Sequence, residues 1–315
     1  MTGRQVSIFG GAHIDRRARI FGTTVPGSSN PGSWFEEAGG GGFNAARNLA
    51  RLGLDVRMIS PRGGDAVGEM VARAANEAGV IDCPFIFLDR KTPSYTAILE
   101  NDGNLVIALA DMELYRLFSP RRLQQKAMRE IISSSDLIVT DANLPEETLT
   151  ALVARANTES KPVAAIAISP AKVTRLVKSL PGLNFLFMNE AEARALTGRD
   201  SEAAAEWPIM LQAAGLSGGV ITRGGKPAIA FQDGRTVTVA PPQLDALADV
   251  TGAGDSLAAG FLSAYVEGKA LDICLRSGVA AAGITVRSPL AVSEKMSRPM
   301  LDEAIRLVPP AEILS

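Results

Sequence analysis

Between residues 249 and 255 the chain reads Asp-Val-Thr-Gly-Ala-Gly-Asp, and the apolar helical pattern Ser256-Leu257-Ala258-Ala259-Gly260-Phe261-Leu262 follows at once. Side chains as small as those of Gly252, Ala253 and Gly254 leave their backbone N–H groups uncovered. At a helix start such groups converge with the positive end of the helix dipole, which makes a cradle for a phosphate or an oxyanion. Asp255 then sits at the mouth of that cradle. A structural turn gains little from an acid there, whereas a phosphoryl-transfer centre needs a base beside the group it transfers. The competing reading is a glycine-rich turn that caps an ordinary helix. Gly-Ala-Gly alone does not separate the two; the full seven-residue string is far more specific.

Other candidates stand at similar junctions. Ala38-Gly39-Gly40-Gly41-Gly42-Phe43-Asn44 precedes a helical pattern that runs to Gly53. Four consecutive glycines permit very close backbone approach to a ligand, and the Asn44 amide can both donate to and accept from a hydroxyl. Gly10-Gly11-Ala12-His13-Ile14-Asp15 follows the strand-like run Val6-Ser7-Ile8-Phe9. Ligands of parallel sheets bind beyond the carboxyl ends of strands, so Asp15 is placed to accept from two neighbouring hydroxyls, or else to cap a turn. His13 can stack on a ligand, hydrogen-bond to it, or pack. As the only histidine, it cannot supply a His-based metal cluster, and no Ser-His-Asp triad is in view. Asn189-Glu190-Ala191-Glu192 follows the strand-like Phe185–Met188 and fits a helix capping box. Thr222-Arg223-Gly224-Gly225-Lys226 closes another apolar run, where Arg223 or Lys226 can reach a phosphate or stay solvated.

The elements that must hold these residues alternate along the chain. Strand-like runs fall at 5–9, 55–60, 84–88, 136–140, 162–168, 184–188 and 219–223. Amphipathic helical patterns fall at 43–52, 67–78, 119–133, 145–156, 170–178 and 190–197. Gly53, Gly79 and Gly198 stand just past helix ends, as C-termini prefer. The alternation predicts an α/β fold, a doubly wound and mostly parallel sheet flanked by helices. The nearly all-apolar runs at 136–140 and 162–168 belong at its centre. Residues 15–37 and 92–110 break the pattern. The second reads as a hairpin turning at Asn101-Asp102-Gly103. The two segments form either one small extra sheet or two unrelated insertions.

With these strings in place, the chain resembles the ribokinase-like (PfkB) carbohydrate and nucleoside kinases over essentially its whole length. The D-x-T-G-A-G-D signature of that family stands at 249–255, and its G-G-x-G-x-N signature is matched by Gly39, Gly40, Gly42 and Asn44. The resemblance implies a single kinase domain over 1–315 with a small β-sheet lid from about 15–37 and 92–110. It implies Asp255 as catalytic base and the backbone of Gly252, Ala253 and Gly254 as anion hole. Asp15, Gly40 and Asn44 would hold the sugar, with His13, Asn30 and Tyr95 also at the substrate. Thr222, Gly224, Thr251, Gly252 and Gly254 would line the nucleotide. Asn189 and Glu192 would organise Mg²⁺, largely through water. ATP and Mg²⁺ are the implied cofactors, and dependence on a monovalent cation such as K⁺ is left open. The chain departs from the family at His13, commonly Asn, and at Pro227, where T-x-G-x-x-G has its second glycine.

A narrower set, Ser29-Asn30-Pro31-Gly32, Ser94-Tyr95, Asp111-Met112 and Asp141–Glu147, is similar in order and spacing to the pseudouridine kinase branch. That branch tends to carry Arg where this chain has Phe43. The expected activity is therefore ATP-dependent phosphorylation of a primary hydroxyl, with the 5′-hydroxyl of pseudouridine as leading acceptor. Ribose, fructose or adenosine are the alternatives within the class. A non-catalytic sugar- or nucleoside-binding regulatory protein is the alternative outside it, and the intact Gly-Ala-Gly and Asp255 speak against it.

Composition agrees. With 46% apolar residues and 315 in all, the chain can bury a substantial core. Its net charge is −2 with no basic block, which argues against nucleic acid or an anionic membrane as partner. No apolar run reaches membrane-spanning length. Cys83 and Cys274 have no metal-like spacing and fit a reducing compartment. The expectation is a cytoplasmic protein acting on small molecules, with the exposed lid sheet inviting a homodimer.

Overall fold

Strands whose side chains are apolar on both faces can only be interior ones. Leu137–Asp141 and Val163–Ile166 are buried at every position, and both lie in the middle of a ten-stranded sheet. The computed structural model describes residues 3–201, 203–243 and 248–314. In its large sheet Ile81–Asp82, Asp55–Ile59, Gln5–Phe9, Leu137–Asp141, Val163–Ile166, Phe185–Asn189 and Gly218–Arg223 lie side by side and parallel. Lys226–Gln232, Arg235–Val239 and Glu312–Ile313 then extend the sheet antiparallel. The order reverses between Gln5–Phe9 and Leu137–Asp141, which makes a switch point with a crevice beyond the strand ends.

Helices cover both faces. Phe43 and Leu49 of Gly41–Arg51, Phe261 of Ala253–Val266 and Leu275 of Leu271–Thr285 fill one core. Ile132 of Lys126–Ser134, Leu149 and Leu152 of Glu146–Thr158 and Trp207 fill the other. Among the described residues no helix is long and apolar enough to cross a membrane.

The two irregular segments meet in one separate four-stranded sheet, ordered Gly32–Gly39, His13–Ile20, Ser94–Leu99, Leu105–Asp111. His13–Ile20 runs antiparallel to Gly32–Gly39 and parallel to Ser94–Leu99, and the last two strands form the expected hairpin.

Three expectations change in detail. The run at 84–88 stays outside the large sheet: Phe85–Phe87 pairs only with Pro61–Gly63. Its Ile86 and Leu88 face solvent, so apolar character there does not report a buried strand. The helix at 119–133 is interrupted at Gln124-Gln125, giving Pro120–Leu123 and Lys126–Ser134. The pattern at 170–178 is one α-turn followed by a 3₁₀ segment to Gly182, where Pro181 cannot donate a helical hydrogen bond.

Candidate active site

Gly10 and Asp141 stand at the carboxyl ends of the two strands that flank the switch point. Asp141 is fully buried and accepts hydrogen bonds from the backbone N–H groups of Gly11, Gly42 and Asn143, each at 2.9 Å. One carboxylate thereby ties the turn after the first strand to the start of the Gly41–Arg51 helix.

The four glycines serve the same close packing. A Cβ on Gly39 would lie 1.9 Å from Asp15 Oδ2, one on Gly40 2.5 Å from the Gly11 carbonyl oxygen, one on Gly41 3.1 Å from Asp255 Oδ1, and one on Gly42 2.7 Å from Asp141 Oδ2. Close approach is thus made to the protein's own groups, Asp15, Gly11, Asp255 and Asp141 among them. The turn threads between Asp15, Asp141 and Asp255 and gathers them into one place.

Asp255 lies in the first turn of the Ala253–Val266 helix. Its Oδ2 accepts a 2.8 Å hydrogen bond from Asn44 Nδ2. Burial pushes the carboxyl up to about 7; the Asn44 bond opposes this, and the charges of Asp141, Asp15 and Glu192 add to it. The helix starts at Gly252 with a φ of 76°, in the left-handed region, and a Cβ there would lie 2.1 Å from the Ala291 carbonyl oxygen. Ala253 N–H reaches the Val250 carbonyl at 3.2 Å. Among the described residues no side chain caps this N-terminus, and a Cβ on Gly254 would meet only open space.

That open space belongs to a cavity of about 630 Å³. Thr222, Gly224, Lys226 and Gly254 line one part of it, and apolar Pro242 and Val286 line another. Gly224, with a φ of 61°, and Gly225 form the tight turn between Gly218–Arg223 and Lys226–Gln232. Arg223 Nε donates to Glu190 Oε1 at 2.8 Å. The cavity thus carries residues of both strings expected at a nucleotide, 222–226 and 253–254, together with apolar Pro242 and Val286.

A polar cluster surrounds Asp15. His13 Nε2 is 3.3 Å from Asp15 Oδ1, and His13 Nδ1 is 2.9 Å from the Tyr115 hydroxyl. The imidazole therefore braces Asp15 from behind. Tyr95 is the cross-strand neighbour of Asp15. Lys172 Nζ donates to Asn143 Oδ1 at 2.7 Å, and burial holds its pKa below the usual lysine value. Asn30 is held differently. Its amide bonds to the backbone of Val25 and Ser28 within its own loop, and no contact joins it to this cluster.

Asn189 and Glu192 form a complete capping box: Asn189 Oδ1 accepts from Glu192 N at 2.9 Å, and Glu192 Oε2 accepts from Asn189 N at 2.7 Å. Burial raises the Glu192 carboxyl above the ordinary range. Among the described residues no group of three His, Cys, Asp or Glu is arranged as a metal cage. A Mg²⁺ that keeps most of its waters and rides on phosphate oxygens needs no cage. Glu192 keeps Oε1 outside the capping box, so it would be available to hold a water of such an ion.

The small sheet is fastened to the same region. Arg17 donates to Asp249 Oδ2 and to Glu37 Oε1, both at 2.8 Å, and Glu37 Oε2 accepts from Ala291 N at 3.4 Å. Asp249 Oδ1 also holds Thr251 through its N–H and its hydroxyl. The sequence motifs do not reveal Arg17, Tyr115, Lys172 or the role of Asp141. Only Asp141 leaves a signal, as an acid closing an apolar strand at the switch point.

A doubly wound sheet with an uncapped helix end beside a cavity, and with a polar cluster around Asp15, fits a kinase of small hydroxylated molecules, a phosphotransferase with an alcohol group as acceptor. Residues 5–297 match the pfkB family carbohydrate kinases, and the chain belongs to that family. Pseudouridine kinase of Escherichia coli K12 is 31% identical over 269 residues, 84% of each chain. Ribokinase of Haemophilus influenzae is 25% identical over 302 residues, 94% of this chain and 96% of the other. Among solved structures, a carbohydrate kinase from Agrobacterium tumefaciens is 58% identical with a TM-score of 0.90, covering 99% of this chain and 100% of that one. Arabidopsis thaliana ribokinase complexed with ribose and ATP shares the fold at 22% identity, with a TM-score of 0.86 over 97% and 99%.

Proposed function

We propose that this kinase transfers the γ-phosphoryl group of ATP to the 5′-hydroxyl of a nucleoside, with pseudouridine the leading acceptor. The observation that carries the chemistry is Asp255 itself, in the first turn of an uncapped helix, next to Gly254 of the cavity wall and hydrogen-bonded to Asn44. The attacking hydroxyl oxygen forms its bond to the γ-phosphorus while the bond to the bridging oxygen of ADP breaks. The hydroxyl proton passes to Asp255, whose raised pKa suits proton acceptance near neutrality. The amides of Gly252, Ala253 and Gly254 meet the charge on the transferred group. Asp15 and Asn44 orient the acceptor hydroxyls with Gly40, while His13 braces Asp15 and Tyr95 stands beside it.

Thr222, Gly224 and Thr251 stand at the nucleotide, and Asn189 and Glu192 would hold the waters of a bound Mg²⁺, which would offset phosphate charge. The small sheet acts as a lid that excludes water, the competing phosphoryl acceptor. All of Leu105–Asp111 is exposed, and its Ile107 and Leu109 form an apolar face with Trp34; a second copy of the chain is the partner proposed to cover it.

The pseudouridine reading is supported by the 31% identical relative of that name and by the ordered strings at 29–32, 94–95 and 111–112. Initial rates with MgATP over pseudouridine, uridine, adenosine, ribose and fructose test it. The highest kcat/KM is expected for pseudouridine. A higher value for any other member of the panel overturns the acceptor and leaves the kinase standing.

A further inference from the structure

One turn beyond Asn44 the helix buries a cation. Arg47 is 9% exposed, and its guanidinium lies 4.8 Å from the centre of the fully buried Phe43 ring. Among the described residues no carboxylate lies within ion-pair distance of it. Its Nε is buried without a partner. Burial lowers its pKa to about 10, and Glu37, Asp15 and Asp255 are the acids whose charge favours it. A buried cation without a direct counter-ion is destabilising, so packing alone does not account for it.

Its hydrogen bonds do. Arg47 Nη2 donates to Asn44 Oδ1 at 2.7 Å and to the carbonyl of Ala38, at the foot of the Gly32–Gly39 strand. An asparagine amide can present either its N–H or its oxygen to a neighbour. Arg47 is a donor only, and ionised Asp255 is an acceptor only. Set between them, Asn44 has one satisfied orientation, with Oδ1 on Arg47 and Nδ2 on Asp255. A flipped amide would turn its oxygen to Asp255 and favour the protonated acid. Asn48 supports the same turn, donating to the Asn44 carbonyl and to Ser256 Oγ.

We propose that Arg47 is a positioning residue for phosphoryl transfer, fixing the Asn44 amide so that it donates to Asp255 and tying that pair to the foot of the small sheet. The inference rests on the reading of Asp255 as the base. The charged groups that face Asp255 are Asp141 from the Leu137–Asp141 strand, Asp15 from the His13–Ile20 strand, Glu192 from the Glu190–Thr197 helix and Arg47 itself. Three are acids, so Asn44 and Arg47 are what keeps Asp255 able to lose its proton.

The test is the pH dependence of kcat with the best acceptor of the panel, for Arg47→Met, Arg47→Lys and Asp255→Asn. Arg47→Met is expected to lower kcat about 10- to 100-fold and to move the acid limb up by about one pH unit, with KM for ATP within about twofold of wild type. Arg47→Lys, a shorter single-point donor, is expected to fall between the two. In an Asn44→Ala background, Arg47→Met should have little further effect. A folded Arg47→Met with the wild-type acid limb, or effects that simply multiply in the double variant, overturns the proposal. If Arg47→Met does not fold, Arg47→Lys carries the test, and a wild-type limb there is equally fatal. Turnover by Asp255→Asn would remove the base assignment itself. An inert Asp255→Asn beside an unshifted Arg47→Met removes only the role given to Arg47.

Discussion

Arg17 and Asp249 are 2.8 Å apart and join the small sheet to the first residue of the Asp249–Asp255 string. Asp249 also holds Thr251, so the position of the sheet and the shape of the helix N-terminus are coupled through one carboxylate. Both partners keep about a quarter of their side-chain surface open, which limits the pair to about 1 kcal/mol. Arg17→Met should therefore cost little stability. It should lower kcat roughly three- to tenfold and speed hydrogen exchange at 249–254. Wild-type exchange there would break the proposed link.

Asp255→Asn removes the base and keeps the Asn44 contact, since the new amide oxygen can still accept. Turnover should fall at least ~10²–10⁴-fold with nucleotide affinity intact. Stability should move the other way. Burial pushes the folded carboxyl from the ordinary 3.8 up to about 7. Its relative stability is therefore full below about pH 4 and is lost as pH rises to about 7. At pH 8 the variant should gain on the order of 1–3 kcal/mol, after discounting for the part solvent reaches, and at pH 4 nothing. Melting curves at the two pH values decide it. The same titration gives wild-type kcat/KM an acid limb near pH 7, with activity rising as pH increases.

Asp15→Ala should raise KM for the acceptor about ten- to a hundredfold, because two ligand hydroxyls lose a charged acceptor. It also removes one of the charges that push Asp255 up, so the acid limb should move to lower pH. Calorimetry with unchanged acceptor affinity would refute the contact, and ATP binding serves as the control.

Gly252 and Gly254 should respond oppositely. Gly252→Ala forces a Cβ to 2.1 Å from the Ala291 carbonyl oxygen at a positive φ, and the melting temperature should drop by several degrees. At Gly254 nothing lies within 4 Å of a Cβ. Gly254→Val should therefore fold normally and raise KM for ATP tenfold or more by filling the cradle. A destabilised Gly254→Val with unaltered KM would contradict the assignment.

The sequence makes some of this legible residue by residue. Asn189 and Gly198 mark both ends of the Glu190–Thr197 helix because a capping box and a left-handed glycine are local devices. The small sheet is legible as two irregular segments, one of them a clear hairpin. What is missing is the identity of partners. Arg17 and Asp249 are 232 residues apart, and neither has a spacing that names the other. Glycine codes for close approach without saying what approaches, which is why the run at 39–42 reads only as ligand contact, whereas its packing on Asp15, Gly11, Asp255 and Asp141 depends on the fold. Phe43 stands out as a departure in the sequence. Its use, as the ring under Arg47, depends on a contact only the fold displays.

The Asn44–Asp255 bond spans 211 residues and the Gly42–Asp141 bond 99. Contacts of such sequence separation form late, because long loops must close before they are gained. During synthesis the residues of the acceptor half emerge long before Asp255 leaves the ribosome, but Phe43 and Leu49 share one core with Phe261 and Leu275, so that half has no finished core of its own until the later helices dock. With Asp255 as the proposed base, a partly made chain would lack both that core and the base, and phosphoryl transfer would wait for the helix that starts at Gly252.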